Sequence, residues 1–240
     1  MDKVLLIDKP KEWTSFDVVA KIRGILRSLQ PQNQSTESVL EKVKPPKIRV
    51  GHAGTLDPLA TGLLVILVGK ATKRQDDYMK KDKVYEVTVR LGSTSNTGDD
   101  EGEKTHVSDD IPSLDEVRKT ILQFIGKIHQ IPPAYSAIKI DGQRAYKLAR
   151  AGKDVQIKPR GVTIYSIEQI EYEYPILTFT TIVSSGTYIR SLVTDIGERL
   201  RVGAYMSDLR RTQIGDFDVA DAMTIDQMTP EHLSSVILGQ

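Results

Sequence analysis

Gly51-His52-Ala53-Gly54-Thr55-Leu56-Asp57-Pro58-Leu59-Ala60-Thr61-Gly62 runs directly into Leu63-Leu64-Val65-Ile66-Leu67-Val68-Gly69. The second part is an apolar run closed by glycines, and its length and β-branching predict a buried strand. The first part places one carboxylate in a glycine-bounded loop just before that strand. Pro58 disfavours the helical region for Asp57, so the side chain projects from a stiff, extended turn. Local pattern alone leaves two readings open: Asp57 as a turn former, or Asp57 as a reactive carboxylate held at the start of a strand.

Working outward, Leu5-Leu6-Ile7 predicts a short strand that stops at Asp8-Lys9-Pro10, where proline ends the ladder. Thr14 and Ser15 offer an N-cap to a helix with the apolar stripe Val18, Val19, Ile22, Ile25 and Leu26. Residues 30–47 are polar, hold three prolines and read as an inserted, flexible loop. Val84–Leu91 alternates, with Tyr85, Val87, Val89 and Leu91 on the covered face. Ser113 and Glu116 form a capping box for a helix through Val117, Ile121 and Ile125 to a stop at Gly126. Further elements are a helix over Arg144–Ala151, strands over Gly161–Tyr172 and Leu177–Ser184, and a helix with the stripe Ile189, Leu192, Val193, Ile196 and Leu200. There is no regular βαβ alternation and no internal repeat. The expected fold class is α+β (mixed α/β), a central mixed, mainly antiparallel sheet flanked by helices, in one domain over residues 1–240.

The composition, 240 residues at 39% apolar with 17 Gly and 11 Pro, is that of an ordinary globular chain. No apolar run approaches the roughly 20 residues of a membrane span, and the N-terminus lacks a basic-then-apolar signal pattern. A cytoplasmic protein without a membrane partner is expected. The lack of cysteine removes disulfides, thiolate nucleophiles and cysteine metal sites, and the four histidines, at 52, 106, 129 and 232, are not spaced as ligands. No metal is expected. Thirty-three basic against 32 acidic side chains give a net charge of +1, so total charge offers no argument for nucleic acid. Its distribution is uneven: Lys70–Lys83 carries six basic residues against three acidic, Lys139–Arg160 seven against two, and Asp99–Glu116 eight acidic against one lysine. Each run taken by itself reads as a solvated face.

Ser184-Ser185-Gly186-Thr187-Tyr188-Ile189-Arg190 passes from a strand end through a turn into a helix start. Arg190 falls off the apolar stripe, placed either to meet an acid in a cleft or to face solvent. Six motifs then stand in order. They are Lys9-Pro10 with Thr14-Ser15; Gly51–Gly62; Lys83-Val84-Tyr85-Glu86 with Arg90-Leu91-Gly92; Ser136–Arg150; Gly186–Arg190; and Leu209-Arg210-Arg211-Thr212 with Ile214-Gly215. Together, over nearly all of residues 3–228, they closely resemble the TruB family of tRNA pseudouridine synthases.

The resemblance implies the pseudouridine synthase fold with a central RNA-binding cleft, and isomerisation of uridine to pseudouridine at position 55 in the T loop of tRNA. Nothing is oxidised and no group is imported in that reaction, so no cofactor is expected. Asp57 is implied as the catalytic carboxylate, either nucleophile on C1′ or base on the ribose 2′ proton. Arg190 is implied as its ionic partner, and Tyr85 as the ring that stacks on uracil and helps remove the C5 proton. For substrate binding the resemblance implies His52 as a wedge or stacking partner for the disrupted RNA, Thr187 and Tyr188 as pocket wall and Leu209 as its apolar side. Lys9, Lys139, Arg144, Lys147 and Arg150 are implied as phosphate contacts. The partner is the T arm stem-loop of tRNA, and the chain is expected to be a monomer with no obligate protein partner.

Two departures stand out. Glu12 occupies a position where the opening motif carries glycine, so that turn is made by a residue that does not readily take positive φ. The chain also ends at Gln240, and the expectation is a short form without the C-terminal PUA module of many relatives. Three rival readings are weaker. A guide-RNA-dependent catalytic subunit fits poorly with the absent module and the lack of basic tails. A noncatalytic RNA-folding protein on the same scaffold fits poorly with intact Asp57, Tyr85 and Arg190, and a glycosidase normally needs two carboxylates.

Overall fold

A computed structural model describes residues 2–29, 48–136, 138–140, 142–152 and 156–238. The insertion expected at 30–47 lies outside them. The chain divides into two compact units, one from residues up to Met79 together with those from Asp216 onward, the other from Lys80 to Gly215. Each combines sheet with helix, as the mixed reading expects. No helix among the described residues is long and apolar enough to cross a membrane.

In the first unit, β1 (Asp2–Lys9) pairs antiparallel with β3 (Thr61–Gly69), from Asp2 opposite Gly69 to Lys9 opposite Gly62. β2 (Val50–Ala53) also pairs antiparallel with β3, whereas Met223–Thr224 joins β1 in parallel, which makes this sheet mixed. Leu63 to Val68 are all buried, as an apolar run covered on both faces requires. α1 (Ser15–Ser28) begins with a full capping box between Thr14 and Asp17 and turns Val18, Val19, Ile22 and Leu26 inward. It packs against β2 and against the terminal helix Pro230–Leu238.

The second unit is an antiparallel sheet. β4 (Lys83–Leu91) lies between β8 (Ala204–Ile214) and β7 (Ile176–Val183); β7 pairs with β6 (Arg160–Glu173), and β6 with β5 (Gly126–Gln130). The alternation of β4 holds as read: Tyr85, Val87, Val89 and Leu91 are buried, and Lys83 joins them. α2 (Leu114–Leu122) has the expected Ser113–Glu116 capping box but stops one turn early. Ile125 is 43% exposed instead of continuing the apolar stripe, and Gly126, at φ +113°, starts β5, a strand that the sequence reading missed. α3 (Ile189–Leu200) lies on β8, and the approach is so close that a Cβ on Gly197 would stand 2.3 Å from the Ala204 nitrogen. Only glycine fits there.

Candidate active site

In the first unit the Asp57 loop is built by contacts from β1 and the start of α1. The Ser15 hydroxyl, buried, both donates to the Leu56 carbonyl at 3.0 Å and accepts from the Leu56 N–H at 2.8 Å. The Glu12 N–H donates to the Pro58 carbonyl at 2.8 Å, and the Ala60 N–H closes a turn on the Asp57 carbonyl at 3.1 Å. Glu12 stands at φ +70°, so the turn keeps the left-handed form that suits glycine, with an L-residue bearing the strain. Leu56 and Leu59 anchor the loop in the core on either side of a half-buried Asp57. His52 sits half-buried on β2, its backbone carbonyl accepting from the Gln75 amide at 2.9 Å.

Lys9 departs from its expected role. Its side chain is fully buried, and Nζ donates to the carbonyls of Pro10 at 2.8 Å, Trp13 at 2.6 Å and Pro58 at 3.4 Å. An ammonium enclosed by carbonyls and shut off from solvent ties the opening motif to the Asp57 loop; it does not stand where a phosphate contact must. Arg144 and Lys147, in contrast, are exposed as phosphate contacts need to be. The side chains of Lys139 and Arg150 lie outside the described residues.

In the second unit Tyr85 is 8% exposed and sits on β4 directly opposite Thr181 of β7 and Arg211 of β8. Residues opposite one another in an antiparallel pair share a face, so Arg211, itself buried, lies beside Tyr85. Leu209, opposite Val87, is on that face too. Lys83 begins it, and burial, followed by repulsion from Arg211, lowers its pKa to about 8 against an opposing pull from Asp82.

Arg190 is buried, not solvent-facing, and the acid it meets in this unit is Asp99. Arg190 Nη1 stands 3.3 Å from Asp99 Oδ2, with both side chains nearly wholly buried. Nη1 also donates to the Thr97 carbonyl at 3.0 Å and Nη2 to the Tyr135 carbonyl at 2.8 Å. Asp99 Oδ1 in turn accepts from the Thr97 hydroxyl at 2.5 Å and the Glu101 N–H at 3.2 Å. Gly98, at φ +76°, lets the loop close over Arg190, its would-be Cβ 3.5 Å from the arginine's own. Asp99 therefore leaves the acidic run that the sequence reading treated as one solvated face. The Thr97-Gly98-Asp99 turn that leads into that run was the available signal.

Arg190 also borders a cleft of about 1000 Å3 lined by Thr97, Tyr135, Thr194, Asp195 and Glu198. Burial, then Glu198, pushes Asp195 up to about 6, with Arg199 opposing. Thr187 donates its hydroxyl to the Ser184 carbonyl at 2.9 Å and so shapes the turn before α3, and Tyr188 is half-buried at the N-cap of that helix. Among the described residues no three His, Asp or Glu side chains gather as metal ligands would.

Residues 41–189 match the TruB family pseudouridylate synthase N-terminal domain, and residues 190–235 match the tRNA pseudouridylate synthase B C-terminal domain. The chain belongs to the TruB family. It is 43% identical over 233 residues to tRNA pseudouridine synthase B of Phocaeicola vulgatus, covering 96% of this chain and 93% of that one. It is 40% identical to the Clostridium kluyveri protein of the same name, covering 99% of this chain and 76% of the relative. Among solved structures, one from a Cbf5-Nop10-Gar1 complex superposes with a TM-score of 0.69 at 30% identity over 99% of this chain. The chain spans 56% of that protein's length. Membership in the TruB family is what the six ordered motifs had implied.

Proposed function

We propose that this chain isomerises uridine 55 in the T loop of tRNA, with Asp57 as the catalytic carboxylate. That the chain is a tRNA pseudouridine synthase follows from its family; the position and the residue roles are our reading. The observation that carries them is the Gly51–Gly62 motif, set in a loop that Ser15, Glu12 and Lys9 hold from three sides. A carboxylate on such a loop is presented without the freedom that would blunt its reach.

The N1–C1′ bond breaks, the uracil turns, C5 bonds to C1′, and the C5 proton leaves as N1 gains one, so atoms balance without a co-reactant. Asp57 supplies the charge at the ribose, as nucleophile on C1′ or as base on the 2′ proton. Tyr85 stacks on the base and assists loss of the C5 proton; Arg190 brings a positive charge to the site. Extruding the nucleotide costs a few kcal/mol, which stacking and pocket contacts from Tyr85, Tyr188 and Leu209 offset. Arg144 and Lys147 meet phosphates, with Lys139 and Arg150 as further contacts. The chain acts as a cytoplasmic monomer, without an obligate protein partner.

The test is to incubate the purified chain alone with an unmodified tRNA transcript and map pseudouridine at single-nucleotide resolution. The expected product is confined to the T loop and vanishes in Asp57→Asn while tRNA binding persists. Product elsewhere, or substantial turnover by Asp57→Asn, overturns the assignment.

A further inference from the structure

β5 ends in Gln130, a polar side chain with no exposed surface. Its carboxamide engages the backbone of Tyr188 twice, accepting from the N–H at 3.1 Å and donating to the carbonyl at 3.3 Å. Tyr188 is the N-cap of α3, extended at φ −101° and ψ 113°, and its own side chain provides no cap. The two bonds reproduce those exchanged by a residue pair in an antiparallel ladder. A side chain thus substitutes for a neighbouring strand where the chain turns from β to α.

The attachment continues along both chains. The Ser191 hydroxyl donates to the Ile131 carbonyl at 2.8 Å, and Arg190 Nη2 to the Tyr135 carbonyl at 2.8 Å. On the other side Arg160, opposite Gln130 in the β5–β6 register, lies with its guanidinium 4.7 Å from the centre of the Tyr188 ring and donates to the Gly186 carbonyl. The N–H, the carbonyl and the ring of Tyr188 are each held from strands that carry no assigned role in the reaction.

Resting on the reading that Tyr188 and Arg190 serve the uridine, we propose that Gln130 is a positioning residue for them. It sets the entry angle of α3 and with it the aim of the Tyr188 ring and of the Arg190 guanidinium one residue beyond the next. The task demands a donor and an acceptor on one planar group at that reach. Methionine supplies neither, ionised glutamate only acceptors, and asparagine is a methylene short.

Gln130→Met removes both bonds at similar volume. Amide exchange at Tyr188 should accelerate at least about tenfold. The kcat on a T-arm stem-loop should fall at least about tenfold through misaimed groups, a larger change than any rise in KM, because the phosphate contacts are untouched and only the Tyr188 pocket contact is disturbed. Gln130→Glu keeps the acceptor, so the Tyr188 amide stays protected and kcat lies between the native and Met values. A folded Met variant with kcat within twofold of native, or with unchanged exchange, overturns the proposal; should Met fail to fold, native kcat in the Glu variant overturns it. If the native chain forms no pseudouridine, the functional reading has failed, and exchange at Tyr188 still decides whether Gln130 holds α3.

Discussion

Asp99→Asn isolates the buried pair behind Arg190. The substitution keeps the shape and one acceptor oxygen, which serves either Arg190 or the Thr97 hydroxyl and Glu101 N–H, and it removes the charge. In the native chain the two charged groups stand 3.3 Å apart with side-chain exposures of 6% and 4%, so little solvent replaces the lost partner. Breaking such a pair from one side costs about 3–5 kcal/mol, and the hydrogen bonds that asparagine retains put this case near 3. At about 2–4 °C per kcal/mol for a chain of this size, the melting temperature should fall by about 6–12 °C. The arginine, still tied to Thr97 and Tyr135 but no longer drawn toward Asp99, loses its fixed aim, and a misplacement near 1 Å costs about a hundredfold in turnover. Thermal melts and single-turnover pseudouridine assays of Asp99→Asn, Arg190→Met and the double variant form a cycle. A coupling of at least about 1 kcal/mol in stability is expected. Additive effects, or an Asp99→Asn protein within 2 °C and twofold of native, would refute the claim that Asp99 holds Arg190.

Lys9→Met strands carbonyls around a buried site and should cost about 3 kcal/mol in urea unfolding while leaving the salt dependence of tRNA binding unchanged; intact stability with a salt slope reduced by about 1 would restore Lys9 as a phosphate contact. Tyr85→Phe should still detach the base but slow loss of the C5 proton, whereas Tyr85→Ala should impair both, and equal mild effects would make Tyr85 plain core. Asp195, its folded pKa raised to about 6 from 3.8, costs stability as pH rises from about 4 through 6, because the folded state resists ionisation there. The full shift corresponds to about 3 kcal/mol, reduced to about 1 by solvent at a partly exposed group. Asp195→Asn should therefore match the native melting temperature near pH 3.5 and exceed it at pH 7; parallel curves across that range would contradict the shift.

The elements legible in the sequence are those whose causes are local. The N-cap at Thr14, the capping box at Ser113 and the alternation in Val84–Leu91 depend on neighbours within one or two turns, and the structure reproduces them. α2 was overextended because Ile125 fits the helical stripe by spacing, while the turn at Gly126 that removes it is imposed by pairing with Ile164, 38 residues on. β5 itself, with Lys127, Ile128 and His129 between Gly126 and Gln130, has too little apolar alternation to announce a strand, and its register comes from β6.

The site divides along the same line, and the division has a physical cause. Asp57, Tyr85 and Arg190 were marked because each sits in a motif that resembles one of the family's. Lys9, Asp99 and Gln130 were misread or passed over because a polar residue carries the same sequence signal whether it faces water or is buried against carbonyls. Burial reverses what such a residue is worth. An exposed lysine beside a proline is a candidate for phosphate, but one enclosed by Pro10, Trp13 and Pro58 carbonyls fixes a loop. An aspartate in an acidic run is one charge among many, but one 3.3 Å from a buried guanidinium fixes where that charge points. The groups implied to touch the uridine were therefore marked by ordered motifs that resemble the family's, whereas buried polar groups such as Asp99 and Gln130 are defined by which partners they find after folding.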